Sequence, residues 1–319
     1  MTAYELKPLD TLFFRGNTPM EAGLVKAESV FPPPVSVIKG AFTTAILKQT
    51  DKLSESENFK KSVLDSVKVK AVLVKKDGKL YAPAPATLYA EKRKEKDEAE
   101  KESSDFKHFV GMNLLKAKPI SKFKEGIKEK LGIKCSEGDI PFVKENVTKA
   151  EAKSLSGNWI CLEKLSDKNE SISKDDILLS GDIFSKEDRT GVELDSKRHT
   201  VEGQLYSASH LRLKEDVSIV ICLEDEVKTQ NIPLDSKGII QLGGEKRLSS
   251  YKKFSDVEIP ETVDGFYVSF VPIEATEENM KKIVASGKMQ VTAGWDLVKK
   301  FHKPTTNWIP AGAVFTEKV

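Results

Sequence analysis

Residues 36–49, SVIKGAFTTAILKQ, and residues 67–81, VKVKAVLVKKDGKLY, together decide the fold class. In the first stretch Ser36 offers an N-cap, and Val37, Ile38, Ala41, Phe42, Ala45 and Ile46 recur at helical spacing. That pattern predicts an amphipathic helix ending near Gln49. In the second, VKVKAVLV alternates, KKDG makes a turn and KLY resumes extended structure, which predicts a β-hairpin. Upstream, YELKPLDTLFF reads as a strand ended by Arg15-Gly16-Asn17, and FPPP links it to the helix. Strand, helix and hairpin in succession imply an α+β fold.

The second half reuses these elements in another order. VSIVICL, Val217 to Leu223, reads as a buried strand, and GFYVSFVPI, Gly265 to Ile273, as a second. Thr276 is placed to cap a helix with Glu277 and Glu278 in its first turn, running to about Ala285, before a strand at Lys288 to Val291. The SLSG stretch interrupts the pattern near residue 155, so the expectation is two domains, 1–155 and 156–319, in keeping with a chain of 319 residues. Residues 91–105 hold twelve charges in fifteen positions, five positive and seven negative, and read as an insertion outside either core.

Composition narrows the class of function. Hydrophobic residues at 39% and charged residues at 31% describe a folded, charge-rich chain. The first residues lack the apolar run of a signal peptide, and no stretch reaches the length of a membrane span, so a cytoplasmic protein without membrane partners is expected. Cys135, Cys161 and Cys222 are odd in number and far apart, which suits reduced core thiols. The net charge is only +2, but Lys107 to Lys134 carries eight lysines against Glu125 and Glu129, and Gly243 to Phe254 four cations against Glu245. Such segments are candidates to face phosphates, or are simply solvated faces.

The motifs of nucleotide hydrolysis and zinc binding are missing: no GK[ST] loop, no HExxH and no paired CxxC. His108, His199, His210 and His302 are dispersed, so neither a metal nor a cofactor is expected. Three segments remain. RTGVELDSKRHTVEGQLYSASHLRL, Arg189 to Leu213, mixes glycines, arginines and hydroxyls with few apolar anchors, and reads as an ordered loop or ribbon. In it Arg189, Arg198 and His199 are candidates to meet phosphates or stack on bases, unless its arginines spend themselves on Glu187, Asp188, Glu193, Asp195 and Glu202. In LGGEKRLSSYKKF, Gly243 and Gly244 would let backbone donors approach a phosphate, with Lys246 and Arg247 following at once. In VSVIKGAF, Lys39 adds a cation to the first turn of a helix, whose free N–H groups favour anions.

Those segments, with LKPLDTLFFRG, FPPPVSVIKGAF and TAGWDLVKKFHKPTTNWIPAGAVF, resemble in order the blocks of one family. It is the third subunit of the Cmr complex, the type III-B CRISPR effector of antiviral defence, within the RAMP superfamily. The resemblance implies two ferredoxin-like, RRM-type domains side by side. It also implies a non-catalytic subunit that binds the repeat-derived 5′ handle of the crRNA, docks on the large polymerase-like palm-domain subunit and meets a neighbouring backbone RAMP subunit. Carried over block by block, the RNA-binding candidates are Arg15, Ser36, Lys39, Arg189, Arg198, His199, Gly243, Gly244, Lys246 and Arg247. The RAMP glycine-rich loop is matched by Gly243 and Gly244, and IPAGAVF resembles the closing strand.

Two departures limit the comparison. Residues 91–156 match the family only in scattered positions, and the aromatic pairs of RNA-reading RRM sheets are not evident, so loops and helix ends should bind. The competing readings are a metal-independent endoribonuclease that processes precursor crRNA, with His199 or His210 as acid or base, and a purely structural subunit.

Overall fold

The computed structural model describes residues 1–16, 26–92, 117–119, 141–143, 151–166, 172–254, 257–263, 265–296 and 301–319. Most of the lysine-rich Lys107 to Lys134 segment, nearly all of the charged insertion, His108 and Cys135 lie outside the described residues.

In chain order the main elements begin with strand β1 (Thr2–Pro8), helices α1 (Val35–Gln49) and α2 (Glu57–Ser66), and strands β2 (Val69–Lys76), β3 (Lys79–Pro83), β4 (Trp159–Cys161) and β5 (Ile177–Leu178). A long pair follows, β6 (Phe184–Leu194) and β7 (Thr200–Leu213), then β8 (Val217–Leu223), β9 (Lys237–Gln241) and β10 (Leu248–Phe254). Eight of these strands form one sheet in the order β5-β4-β3-β2-β8-β1-β10-β9. The fold is mixed α+β, rich in sheet and poor in helix.

β1 and β2 are both antiparallel to β8, which lies between them, so they run parallel to one another with α1 and α2 in the crossover. This is a split β-α-β unit. β10 adds to the far side of β1. Strands from before residue 155 (β1, β2, β3) and after it (β4, β5, β8, β9, β10) are therefore neighbours in a single sheet. The sheet does not divide at residue 155, because β8 bridges β1 and β2.

Alternation explains the run VSIVICL. Ile219, Ile221 and Leu223 enter a core with Tyr4, Leu6, Val72 and Tyr251 of the sheet, Ile38, Phe42 and Ile46 of α1 and Val63 of α2. Val220 and Cys222 point the other way, into a core with Ala3, Ala71, Leu73, Leu155, Ile160, Leu162 and Phe270. A strand covered on both faces needs no polar alternation, and all seven residues of β8 are buried. Cys161, packed in a smaller cluster with Val74, Tyr81 and Trp159, and Cys222 are buried free thiols, and burial pushes the Cys222 thiol up to about 12.

α1 starts two residues before the sequence suggests. Pro34 is the N-cap, without a side-chain cap, and Ser36 lies exposed inside the first turn. Proline with its fixed φ starts the helix and leaves Ser36 with no capping duty. The helix ends at Gln49 as expected, with Asp51 in the left-handed region (φ 55) and Lys52 N–H donating to Leu47 O. The opening strand is shorter than its sequence suggests: it stops at Pro8, and residues 9–14 turn away from the sheet. The hairpin forms as read, with Asp77 and Gly78 both at positive φ in its two-residue turn. α2, capped by the Ser56 hydroxyl accepting from Phe59 N–H, is an element the sequence pattern does not single out.

Between residues 257 and 289 the elements are short. Thr276 does cap a helix, accepting from Asn279 N–H, but α3 covers only Glu277–Lys281 before Ile283–Ala285 turns extended. Three β-branched or small apolar residues in a row, Ile-Val-Ala, give way to sheet pairing with Val314–Phe315. Gln290–Asp296 and Phe301–Ile309 form a second antiparallel ribbon.

Candidate nucleic-acid interface

The segment Arg189 to Leu213 is neither loop nor short hairpin. It forms most of a long antiparallel ribbon, β6 with β7, in register from Phe184 opposite Leu213 to Val192 opposite Leu205, with a register shift before Leu194 pairs with Thr200 near the tip. Its base is fixed to the body by a reciprocal pair of backbone bonds between Leu12 and Leu211, both 2.8 Å. Further out, the Tyr206 ring crosses Gly191 so closely that a Cβ there would lie 2.2 Å from it, so only glycine admits the ring.

The ribbon's tip is ordered by one side chain. The Asp195 carboxylate accepts from the N–H groups of Lys197 and His199, both at 2.8 Å, and Arg198 takes the left-handed conformation (φ 64). Lys197, Arg198 and His199 are thereby displayed at the far end, all exposed. His199 Nδ1 lies 3.6 Å from Asp195 Oδ2. Neither Lys197 nor Arg198 makes an ion pair among the described residues. Val192 and Leu205, opposite one another, are exposed on one face of the ribbon, as is Leu194.

The glycine loop sits at the ribbon's base. Gly243 has φ 90, and a Cβ on it would lie 2.6 Å from Phe13 O. Gly244 N–H donates to the same carbonyl at 2.8 Å. The glycines thus serve close packing of the loop on Phe13, and the backbone donor expected to meet a phosphate is already engaged. Glu245 and Lys246 both take the left-handed conformation (φ 54). Lys246 stands exposed without an ion pair among the described residues. Arg247 does not: it is half-buried, donating to Asp10 Oδ2 at 2.8 Å and to Glu245 Oε2 at 2.8 Å.

Asp10 is the centre of a larger arrangement. Besides Arg247 it accepts from Arg189 (Oδ2, 3.0 Å) and Arg212 (Oδ1, 3.0 Å). Glu187 accepts from the same two arginines, at 2.7 Å from Arg189 Nη2 and 2.6 Å from Arg212 Nε. The Arg189 guanidinium, then that of Arg212, holds the Asp10 carboxyl below its ordinary range. Three guanidiniums and three carboxylates so tie together the end of β1, the ribbon and the glycine loop. Arg189 and Arg247, expected as free phosphate ligands, are drawn into internal pairs because folding brings Asp10 between them, 179 and 237 residues away in sequence. Asp10 and Arg212 carry no motif that would have marked them. Only the ribbon's register and the bend after Pro8 put them in reach.

The other candidates lie elsewhere. Arg15 is half-buried and its backbone bridges to Ser29. Lys39 is half-buried in the first turns of α1, with no ion pair among the described residues, and Ser36 is exposed beside it in sequence.

His210 is fully enclosed beneath the cluster. It stacks on Phe13 at 5.0 Å between ring centroids, its Nδ1 lies 3.1 Å from Thr11 Oγ1, and its Nε2 lies 3.4 Å from Glu245 Oε2. Burial lowers its pKa below 6.5; the Glu245 carboxylate opposes that shift, while Arg247 and Arg189 reinforce it. Between the folded and unfolded values the unfolded chain binds a proton that the folded one does not. Stability from this group is therefore complete above about pH 6.5 and declines as pH falls below it. Thermal melts from pH 5 to 8 should show the wild type losing stability faster toward acid than His210→Gln. Parallel pH profiles would remove His210 from the account.

A family model described as CRISPR-associated protein (Cas_Cmr3) matches residues 4–265. The chain belongs to the Cas_Cmr3 family. Membership places it among the Cmr subunits of type III-B CRISPR complexes, as the segments quoted from the sequence had suggested. Two solved structures share the fold of this Cmr3-family chain. One is a chain of the type III-B Cmr-beta cryo-EM structure bound to cognate target RNA and AMPPnP, at 17% identity and TM-score 0.56, covering 98% of this chain and 85% of that one. The other is a chain of Cmr-beta bound to cognate target RNA, at 19% identity and TM-score 0.54, covering 98% of this chain and 86% of that one. Among curated proteins none matches the Cmr3-family chain. No helix among its described residues is long and apolar enough to cross a membrane.

Proposed function

We propose that this Cmr3-family chain is a non-catalytic subunit that holds the 5′ repeat-derived handle of the guide RNA. It docks on the large polymerase-like subunit and beside a backbone RAMP subunit. The observation that carries the reading is the physical union of the glycine loop and the ribbon. Arg247 of the loop and Arg189 and Arg212 of the ribbon meet on Asp10, so Lys246 at the base and Lys197 and Arg198 at the tip, exposed and without ion pairs among the described residues, stand on one joined loop-and-ribbon unit. Such a route suits an extended strand held mainly through phosphates. The split β-α-β unit with β10 beside β1 supports a ferredoxin-like arrangement for the first half of the fold.

The geometry speaks against the nuclease reading. His199 sits at the ribbon's tip and His210 eleven residues down the same strand, roughly 35 Å away at strand rise. His210 is enclosed, and among the described residues His199 has Asp195 as its one charged neighbour, so these two histidines do not flank a common point as acid and base. Purified protein incubated with handle-bearing RNA should retain it without cutting it, and His199→Ala should leave RNA integrity unchanged. A cleavage product that disappears in the His199→Ala protein would overturn the non-catalytic reading.

A further inference from the structure

Asp10 is an acidic residue at the centre of a surface read as RNA-binding, where simple electrostatics would place none. It is 44% exposed, yet three guanidiniums converge on its two oxygens within 3.0 Å. Each of these arginines comes from a different stretch: Arg189 from β6, Arg212 from β7, Arg247 from the glycine loop. Glu187 and Glu245 close the cluster on either side. These bonds use Nε and Nη2 of Arg189 and of Arg212. The Nη1 groups of both, two N–H donors each, are left without an acceptor among the described residues.

We propose that Arg189, Arg212 and Arg247 form a single phosphate-recognising cluster and that Asp10 is its positioning residue. Free guanidinium side chains lose much rotamer freedom when they bind an anion. Asp10 fixes them beforehand, aligned for a phosphate of the RNA backbone to meet the remaining Nη1 donors. The carboxylate costs one negative charge of long-range attraction and gains a preset geometry. Arg212, absent from the sequence-derived set, becomes an RNA ligand in its own right. The proposal rests on the RNA-binding reading and adds the residue that organises it.

The two effects of Asp10 have opposite signs, which makes the test decisive. Asp10→Ala raises the net charge from +2 to +3. If charge alone mattered, handle RNA would bind more tightly. Positioning instead makes Asp10→Ala bind about eightfold more weakly at 50 mM salt for each phosphate the cluster no longer holds, with a log–log salt slope shallower by about 0.7 per phosphate. Asp10→Glu, which keeps the carboxylate, should recover most of the slope. A purely structural role would reduce the folded fraction in thermal melts without changing the slope of the protein that remains folded. If Asp10→Ala does not fold, Arg212→Gln, on a side chain 46% exposed, tests the same cluster and should also reduce the slope by about 0.7. Unchanged slopes in folded Asp10→Ala or Arg212→Gln overturn the proposal. A wild type that does not bind handle RNA at all removes the RNA reading, and the positioning role falls with it.

Discussion

Handle RNA should bind several hundredfold more weakly at 50 mM salt when Lys39, Arg198 and Lys246 are changed together to glutamate, with a salt slope about 2 units shallower. Each of the three, like Arg15, is a cation of the expected set that is exposed or half-buried and has no ion pair among the described residues. Arg189 and Arg247 are poor targets for the same experiment. Glutamate at either would meet Asp10 and its companions and disturb the fold as well as the surface. Three phosphates held on single-stranded RNA release enough counterions to account for the estimate, and charge reversal adds repulsion to the missing attraction. Each change should shift stability by no more than about half a kcal/mol, since none of the three occupies the packed core. The measurement is a titration at several salt concentrations beside thermal melts. A folded triple variant with wild-type affinity and slope would move RNA binding away from the loop, the helix start and the ribbon tip.

Phe42→Ala should cost about 3–5 kcal/mol of stability, a large share of what a domain has. Phe42 is wholly buried on α1 and its ring centroid lies 5.2 Å from that of Tyr4 on β1. It fills the space where the crossover helix meets the sheet, among Ile38, Ile46, Ile219 and Ile221. Alanine leaves a cavity that two layers of regular structure cannot readily collapse to fill. Val37, on the same helix but only half-buried, should cost much less on truncation. Denaturant unfolding of both variants checks this; a Phe42→Ala loss under about 1 kcal/mol would mean the core rearranges freely.

Much of the fold was legible because it rests on local rules. The apolar spacing of residues 37–46 needs only the helical period, and VKVKAVLVKKDGKLY only strand alternation and an Asp-Gly turn. VSIVICL announced a buried strand by an apolar run broken only at Ser218, and Asp195 is of a residue type that orders turns through its own side chain. The blocks that resemble the Cmr family sit in this locally determined framework.

Tertiary structure decided the rest. No local rule pairs Val217–Leu223 with both Thr2–Pro8 and Val69–Lys76, so the sheet that joins residues on both sides of position 155 was out of reach of pattern alone. The charged residues show the same limit more sharply. Arg189, Arg198, Lys246 and Arg247 look equivalent in sequence, yet folding leaves Arg198 and Lys246 to solvent and spends Arg189 and Arg247 on Asp10. Whether a cation is free depends on which carboxylate arrives within about 3 Å of it, and charge interactions at that range are set by spatial and not sequence distance. Sequence determined that this chain would present cations on loops and ribbons; long-range pairing alone determined which of them are held internally and which remain free.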